Sequence, residues 1–207
     1  MTVKELFSKL DDILLNSNKP SIEILELIKK KEFDKKPFIK IKKLEDIEQN
    51  LTHHPEGNVL NHTLLVVDRA AHYKEFSKDK RVFMWAALLH DLGKLTTTRK
   101  RKDKITSYGH DLQGDILARQ FLHMLTNDEE FINKVCTLVK YHMQPLFYDK
   151  KLPFFKEKDI IDESDPDEIS LLSLADRLGR GNLCEQKIKN EEKRISNFKN
   201  YFKDKYK

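Results

Sequence analysis

A chain of 207 residues is long enough to bury one sizeable core, and its length alone suggests one domain. Hydrophobic residues at 39% and charged residues at 35% exclude a disordered tail and describe a globular protein with a heavily solvated surface. A formal net charge of +5 favours anionic ligands without specifying nucleic acid.

No apolar run approaches the roughly 18 residues that span a bilayer, and MTVKELFSKL lacks the apolar centre of a secretory signal. The expectation is a cytoplasmic chain with no membrane partner. Cys136 and Cys184 are far apart and form no disulfide framework, so both are expected as buried or half-buried thiols. Only six glycines and six prolines interrupt the chain, and most segments space apolar residues by three and four. That pattern predicts an all-α fold.

The first helix is expected at Thr2, whose hydroxyl can cap while Glu5 reaches back, and it aligns Val3, Leu6, Phe7, Leu10, Ile13 and Leu14. A second runs from about Ser21. The lysine-rich connector FDKKPFIKIKK leads to the turn THHPEGN, where Asn58 can cap a helix carrying His62, Leu65, Val66 and Ala70. The next helix holds Phe83, Trp85, Leu88 and Leu89 and ends in ALLHDLGK. After TTTRKRKDKITSYG, read as a loop, come helices from about His110 to Leu125 and from Asn127 to His142, with Asn127 and Glu130 resembling a capping box. QPLFYDKKLPFF reads as irregular. Asp165-Pro166 opens a helix bearing Leu171, Leu172, Leu174 and Ala175, and NEEKRISNFKNYFKDKYK reads as a charged terminal helix.

Five places put a histidine or aspartate beside an apolar helix face: His62, His90-Asp91, His110, His142 and Asp176. Each alone is more often a satisfied core residue than a ligand, because buried imidazoles and carboxylates need partners wherever they occur. Together they share a feature. Every glycine lies within about five residues of one of them, so the rare backbone freedom of the chain is placed beside its polar clusters. Imidazole plus carboxylate without thiolate suits Mn, Fe, Zn or Ni, with Mg on a carboxylate-rich side. If Asp91 bridges, His62, His90 and Asp176 can hold one ion while His110 and His142 hold a second. Two such ions would generate hydroxide near neutral pH and clamp a phosphoryl group.

His62, the doublet His90-Asp91 and Asp176 match the H…HD…D signature of the HD-domain superfamily, and the chain thereby resembles its helical, metal-dependent phosphohydrolases. HHPEGNVLNHTLLVVD, HDLGKLTTT, YGHDLQG, VKYHMQP and ADRLGRG are similar, in order and spacing, to the C-terminal HD region of bacterial tRNA nucleotidyltransferases (CCA-adding enzymes), over roughly Phe33 to Gly181. The resemblance implies an HD-domain helical bundle with the metal site at its centre. It divides the chain into an N-terminal helical extension (1–48), an HD domain (49–181) and a C-terminal charged helix packed on the same domain (182–207). The glycine-rich strand-turn and paired-aspartate motif of the polymerase head in those enzymes have no counterpart here, so the expectation is the hydrolase module without nucleotide addition.

The activities implied are phosphatase and 2′,3′-cyclic phosphodiesterase action on a nucleotide or nucleotide-like phosphoester. His110 and His142 also resemble small HD proteins that hydrolyse diadenosine tetraphosphate at a di-iron centre. Met143 after His142 and the lack of a GYP-like motif disfavour cyclic-dinucleotide cleavage. Asp91 is expected as central ligand and catalytic residue, Lys94 as a phosphate contact near the metal, and Asp111 as a hydrogen-bonded support or proton carrier that can equally cap its helix. Thr97 and Arg99 can add donors to the same phosphate, and Arg177 and Arg180 can each receive a nucleotide phosphate or form a surface salt bridge. RKRKDK invites an RNA partner but carries no interleaved aromatics, so a solvated loop is favoured. Two rivals stay open: a non-catalytic RNA- or partner-binding module that keeps its metal for stability, and a di-iron oxygenase. Metal number, natural substrate and oligomeric state are not specified.

Overall fold

The computed structural model describes residues 1–102, 104–181 and 183–206. Helix α1 (Val3–Asn16) begins at the expected capping box: the Glu5 amide donates to the Thr2 hydroxyl at 3.2 Å, and the Thr2 amide donates to the Glu5 carboxylate at 2.8 Å. Helix α2 (Pro20–Ile28) starts one residue before the expected Ser21, because proline fits the first helical turn and Ser21 instead donates its amide and hydroxyl to Asp68. The connector is more ordered than its lysines suggest. Two 3-10 turns, Lys31–Asp34 and Lys43–Asp46, flank the short α3 (Ile39–Lys42) and bury Phe33, Phe38, Ile41 and Leu44.

Asn58 caps α4 (Val59–Tyr73) by accepting from the Asn61 amide at 2.8 Å, and Asp79 caps α5 (Lys80–Leu89) by accepting from the Val82 amide at 3.1 Å. From Val82 to Leu89 every residue of α5 is buried, the mark of a helix surrounded on all sides. After α6 (Lys94–Thr97) the expected loop is a hairpin: β1 (Arg99–Arg101) pairs antiparallel with β2 (Lys104–Thr106). Asp103 of the RKRKDK run lies outside the described residues.

Helix α7 (His110–His123) stops before the expected Leu125. Helix α8 (Glu129–Tyr141) is capped by Asp128, which accepts from the Phe131 amide at 3.0 Å, and not by the Asn127–Glu130 pair expected from sequence. A carboxylate at that position also favours the positive end of the helix dipole. The stretch read as irregular contains α9 (Gln144–Asp149), and α10 (Glu157–Glu163) follows it. Helix α11 (Pro166–Leu178) opens at Asp165-Pro166 as expected, and α12 (Glu185–Lys205) is the charged terminal helix.

The class is all-α. Helix α5 sits at the centre against α1, α4, α8 and α11, while α7 pairs with α8 and α12 lies on α11 and α9. Trp85 on α5 packs against Phe7, Phe121 and Phe131, and its indole N–H donates to Asp11 at 2.7 Å, which ties α1 to the core. Cys136 is buried, but Cys184 is exposed just before α12, against the expectation of a buried or half-buried thiol; both are free. Among the described residues no helix is long and apolar enough to cross a membrane.

Two close approaches bring the helix ends that carry these histidines and aspartates together. A Cβ on Gly93 would lie 2.0 Å from the His110 carbonyl oxygen and 2.5 Å from the Gly114 nitrogen, so only hydrogen fits where the chain after Asp91 meets α7. A Cβ on Gly179 would lie 2.7 Å from the Val66 Cα, so the end of α11 can press onto α4 only through glycine.

Candidate metal centre

His62 comes from α4, His90 and Asp91 from the end of α5, His110 from the start of α7, His142 from the end of α8 and Asp176 from the last turn of α11. His62, His90, Asp91, His142 and Asp176 are all buried, and His110 nearly so. Three of the imidazoles are held alike. The Nδ1–H groups of His90, His110 and His142 donate to the carbonyls three residues earlier, those of Ala87, Ser107 and Val139, at 2.9, 2.8 and 2.7 Å. His62 donates its Nδ1–H to Glu56 at 2.8 Å. A proton fixed on every Nδ1 leaves every Nε2 as the inward-facing ligand atom.

Those Nε2 atoms converge on one carboxylate. Asp91 Oδ2 lies 3.3 Å from His90 and 3.7 Å from His62, whereas Oδ1 lies 3.5 Å from His110. Asp176 Oδ1 adds a contact of 3.0 Å to His62 Nε2, and His110 and His142 bring their Nε2 atoms to 3.3 Å. The two oxygens of Asp91 thus address different histidine pairs. Two groups of potential ligands, His62–His90–Asp91 and Asp91–His110–His142, share it.

Elementary electrostatics tests whether these residues fit a cation. His90 Nε2 is buried without a hydrogen-bond partner among the described residues, a costly state for the imidazole. Two lone pairs 3.3 Å apart, on His110 and His142, repel unless a positive charge lies between or beside them. Burial alone would raise the pKa of Asp91, but the charge of Lys94 and the adjacent His90 and His110 outweigh it and hold the carboxyl well below its usual range. Burial likewise opposes ionisation of Asp176, and its close contact with His62 together with the charge of Arg180 overcomes it. Burial lowers the pKa of His110 and pushes that of His142 down to about 4, which keeps both imidazoles neutral and ready to ligate. His62 moves the other way: burial lowers it, but Asp176 and Glu56 on its two sides prevail. The donor set, four imidazoles and two carboxylates, fits a divalent metal of intermediate hardness.

Other sequence-predicted residues fall into two sets. Lys94 is buried, with Nζ 2.7 Å from Asp91 Oδ2 and 2.8 Å from the Gln49 amide oxygen. Asp111 is buried beside His110, and its side chain does not cap α7. Thr97 and Arg99 are not brought to the centre: the Thr97 hydroxyl donates to the Gly93 carbonyl, and Arg99 donates to the carbonyls of Thr96 and Thr98. Arg177 is buried and pairs with Glu191 of α12, whereas Arg180 acts through its charge on Asp176.

Three supporting residues escape a reading of the sequence. Glu56 accepts from both His62 and His54, at 2.8 and 3.0 Å, and takes the Gly181 amide on its second oxygen at 3.2 Å. These bonds outweigh its burial and lower its pKa. Gln49 holds Lys94 and is itself fixed by a backbone bond to Gly57 and a side-chain bond to the Asn58 carbonyl. His54, Glu56 and His62 form a third cluster of ligand type, but the shared carboxylate takes both Nδ1 protons, so we read it as the support that orients His62.

The fold and site define a helical protein whose centre gathers imidazoles and carboxylates from the ends of five helices. A family model described as HD domain matches residues 59–181, and the chain belongs to that family. It is similar to the "Multifunctional CCA protein" of Actinobacillus pleuropneumoniae serotype 5b (strain L20), 32% identical over 106 residues that cover 51% of this chain and 25% of that protein. The "Multifunctional CCA protein" of Teredinibacter turnerae (strain ATCC 39867 / T7901) is 33% identical over 96 residues, covering 46% and 22% respectively. The chain therefore spans about a quarter of the length of the curated relatives it matches.

Proposed function

We propose that this chain is a cytoplasmic, metal-dependent phosphohydrolase that cleaves a phosphoester of a nucleotide or nucleotide-like substrate. The observation that carries the reading is the convergence of four Nδ1-tethered histidines on the two oxygens of Asp91, with the Lys94 ammonium 2.7 Å from one of them. In this reading His62, His90, Asp91 and Asp176 hold one divalent ion, and Asp91, His110 and His142 hold a second, drawn from Mn, Fe, Ni, Zn or Mg. When bound, such ions supply hydroxide near neutral pH and screen the charge of the phosphoryl group.

The residues of the chain do the remaining work. Lys94, fixed by Gln49, presents its ammonium to a phosphoryl oxygen and strengthens its hold as negative charge develops there. Asp111, buried beside His110, moves a proton between that edge of the site and the leaving group. Glu56 holds the His62 ring in place. Arg180 and Arg177 receive a nucleotide phosphate; Thr97 and Arg99 can join only by exchanging their bonds to backbone carbonyls for bonds to substrate. We assign the division into a 1–48 extension, a 49–181 HD domain and a 182–207 tail on the same footing.

The test is phosphate release from a panel of nucleotides, with 2′,3′-cyclic nucleotides and diadenosine tetraphosphate included, under Mn, Ni, Fe and Mg. Asp91→Ala is expected to abolish turnover, and full turnover in that variant contradicts the mechanism. A second reading, a non-catalytic RNA-binding module, is favoured by the exposed basic hairpin and by Tyr108, 86% exposed at its foot. It predicts metal-dependent melting and salt-sensitive RNA affinity without turnover.

A further inference from the structure

Beside the metal centre lies a second concavity, which contains Arg177 and Arg180, the two arginines assigned above to a nucleotide phosphate. The cleft, about 510 Å³, is walled by the loop Leu51–Pro55, by the end of α11 at Arg177 and Arg180, and by α12 at Lys187, Asn190 and Arg194. Its size suits part of a small ligand. Four cations line it against a single carboxylate, Glu191, which already pairs with both Arg177 and Arg194. Arg194 has a further, longer contact of 3.6 Å to Asp149.

The positive charge is therefore in excess, and part of it is unsatisfied in a buried place. The Arg177 side chain is only 5% exposed, and its Nη2 has no hydrogen-bond partner among the described residues although Nη1 is bound to Glu191. Arg180 Nε is likewise buried and has no hydrogen-bond partner among the described residues. Desolvated guanidinium N–H groups beside a cleft are costly without an acceptor, and a phosphate supplies several.

The cleft shares its wall with the centre but is separate from it. Pro55 lines the cleft between His54 and Glu56, and Gly181, which also lines it, donates its amide to Glu56. Arg177 follows Asp176 directly and so points about 100° around the helix from it, while Arg180 lies two residues past the end of α11. The charge of Arg180 reaches both Asp176 and His54. The wall formed by α12 lies beyond residues 59–181, the stretch the family model matches.

We infer that this cleft binds a second phosphate of the substrate whose scissile phosphoester lies at the metal centre. The inference rests on the phosphohydrolase reading and deepens it: the substrate is a nucleotide with two separate phosphate groups, from a free bisphosphate or a short oligonucleotide. A nucleoside monophosphate would engage the centre alone.

The test is direct binding, by calorimetry on the full metal-loaded chain, of adenosine 3′,5′-bisphosphate, adenosine 5′-monophosphate and a trinucleotide. The bisphosphate is expected to bind at least tenfold tighter than the monophosphate. Lys187→Glu, at an exposed position of the cleft wall, should remove most of that difference. Lys4→Glu, an exposed charge reversal on α1 outside the cleft, should keep it. Trp85 fluorescence checks that each variant is folded. A trinucleotide that binds tighter than the bisphosphate identifies a strand as the source of the second phosphate, and equal binding identifies the free nucleotide. Equal affinity for mono- and bisphosphate, or a preference that survives Lys187→Glu, overturns the inference. Bisphosphate preference without turnover of any substrate would defeat the hydrolase reading and leave the cleft standing; turnover without the preference would do the reverse.

Discussion

Glu56 shows how a centre of this kind depends on residues that do not face it. Its carboxylate takes the Nδ1 protons of His54 and His62 and the amide of Gly181, so it fixes the tautomer of one candidate ligand while joining the loop before α4 to the end of α11. Glu56→Gln keeps the shape but surrenders the charge, and the expected loss is about 10–100-fold in metal affinity, measured by competition with a chelator. Unchanged affinity would show that the His62 ring needs no such anchor. His62, His90, Asp91, His110, His142 and Asp176 were legible in the sequence because polar residues at the ends of apolar helices stand out against their neighbours. Glu56 and Gln49 were not, since nothing in THHPEGN or in the segment before it shows that the chain folds back through the Gln49–Gly57 backbone bond. Thr97 and Arg99 illustrate a different point: donors near a motif can be taken up by the carbonyls at a helix end.

The helices place those residues through contacts that tolerate little change. At Gly93 the neighbouring atoms are backbone, which cannot rotate away, so Gly93→Ala is expected to destabilise the fold by about 3 kcal/mol. Chemical denaturation measures it, and a loss below about 0.5 kcal/mol would mean that α6 and α7 can separate freely. Trp85→Ala removes a fully buried indole and its bond to Asp11, and should cost about 3–5 kcal/mol while loosening α1. The far end of α12 is held differently. Glu157 of α10 accepts from Tyr201 at 2.8 Å and Tyr206 at 2.5 Å and pairs with Lys205 at 2.6 Å. Those groups, Lys205 foremost, lower its pKa from an ordinary 4.5 to about 2. A carboxyl depressed on folding contributes stability above its unfolded value that is lost as pH falls through the folded one. Hydrogen-exchange protection at the end of α12, relative to the intrinsic rate at each pH, should therefore fall between about pH 4.5 and pH 2, and Glu157→Gln should remove that fall. Long helices were legible at this scale from apolar spacing. The hairpin was not, because three-residue strands of mostly basic side chains show no alternation, and α9 and α10 are too short for a periodic signal.

For the molecule as a whole, the all-α class followed from sparse glycine and proline and from helical periodicity, and the order of the motifs carried the family. Sequence did not show that the first helices and the last are packed as tightly as the rest: Leu6, Leu10 and Leu14 of α1 and Phe198 and Phe202 of α12 join the buried cluster that surrounds α5. Segments outside the matched residues thus brace the centre on one side and wall a cationic cleft on the other. The central claim is that the buried histidines and carboxylates hold metal for phosphoester hydrolysis, and one paired measurement addresses it. Purified wild-type protein and Asp91→Ala are analysed for bound metal and then assayed for phosphate release across the nucleotide panel. Bound divalent metal with turnover in the wild type, and loss of both in Asp91→Ala, is the predicted result. Turnover that persists at full rate in Asp91→Ala, or bound metal with no turnover of any substrate, would contradict it.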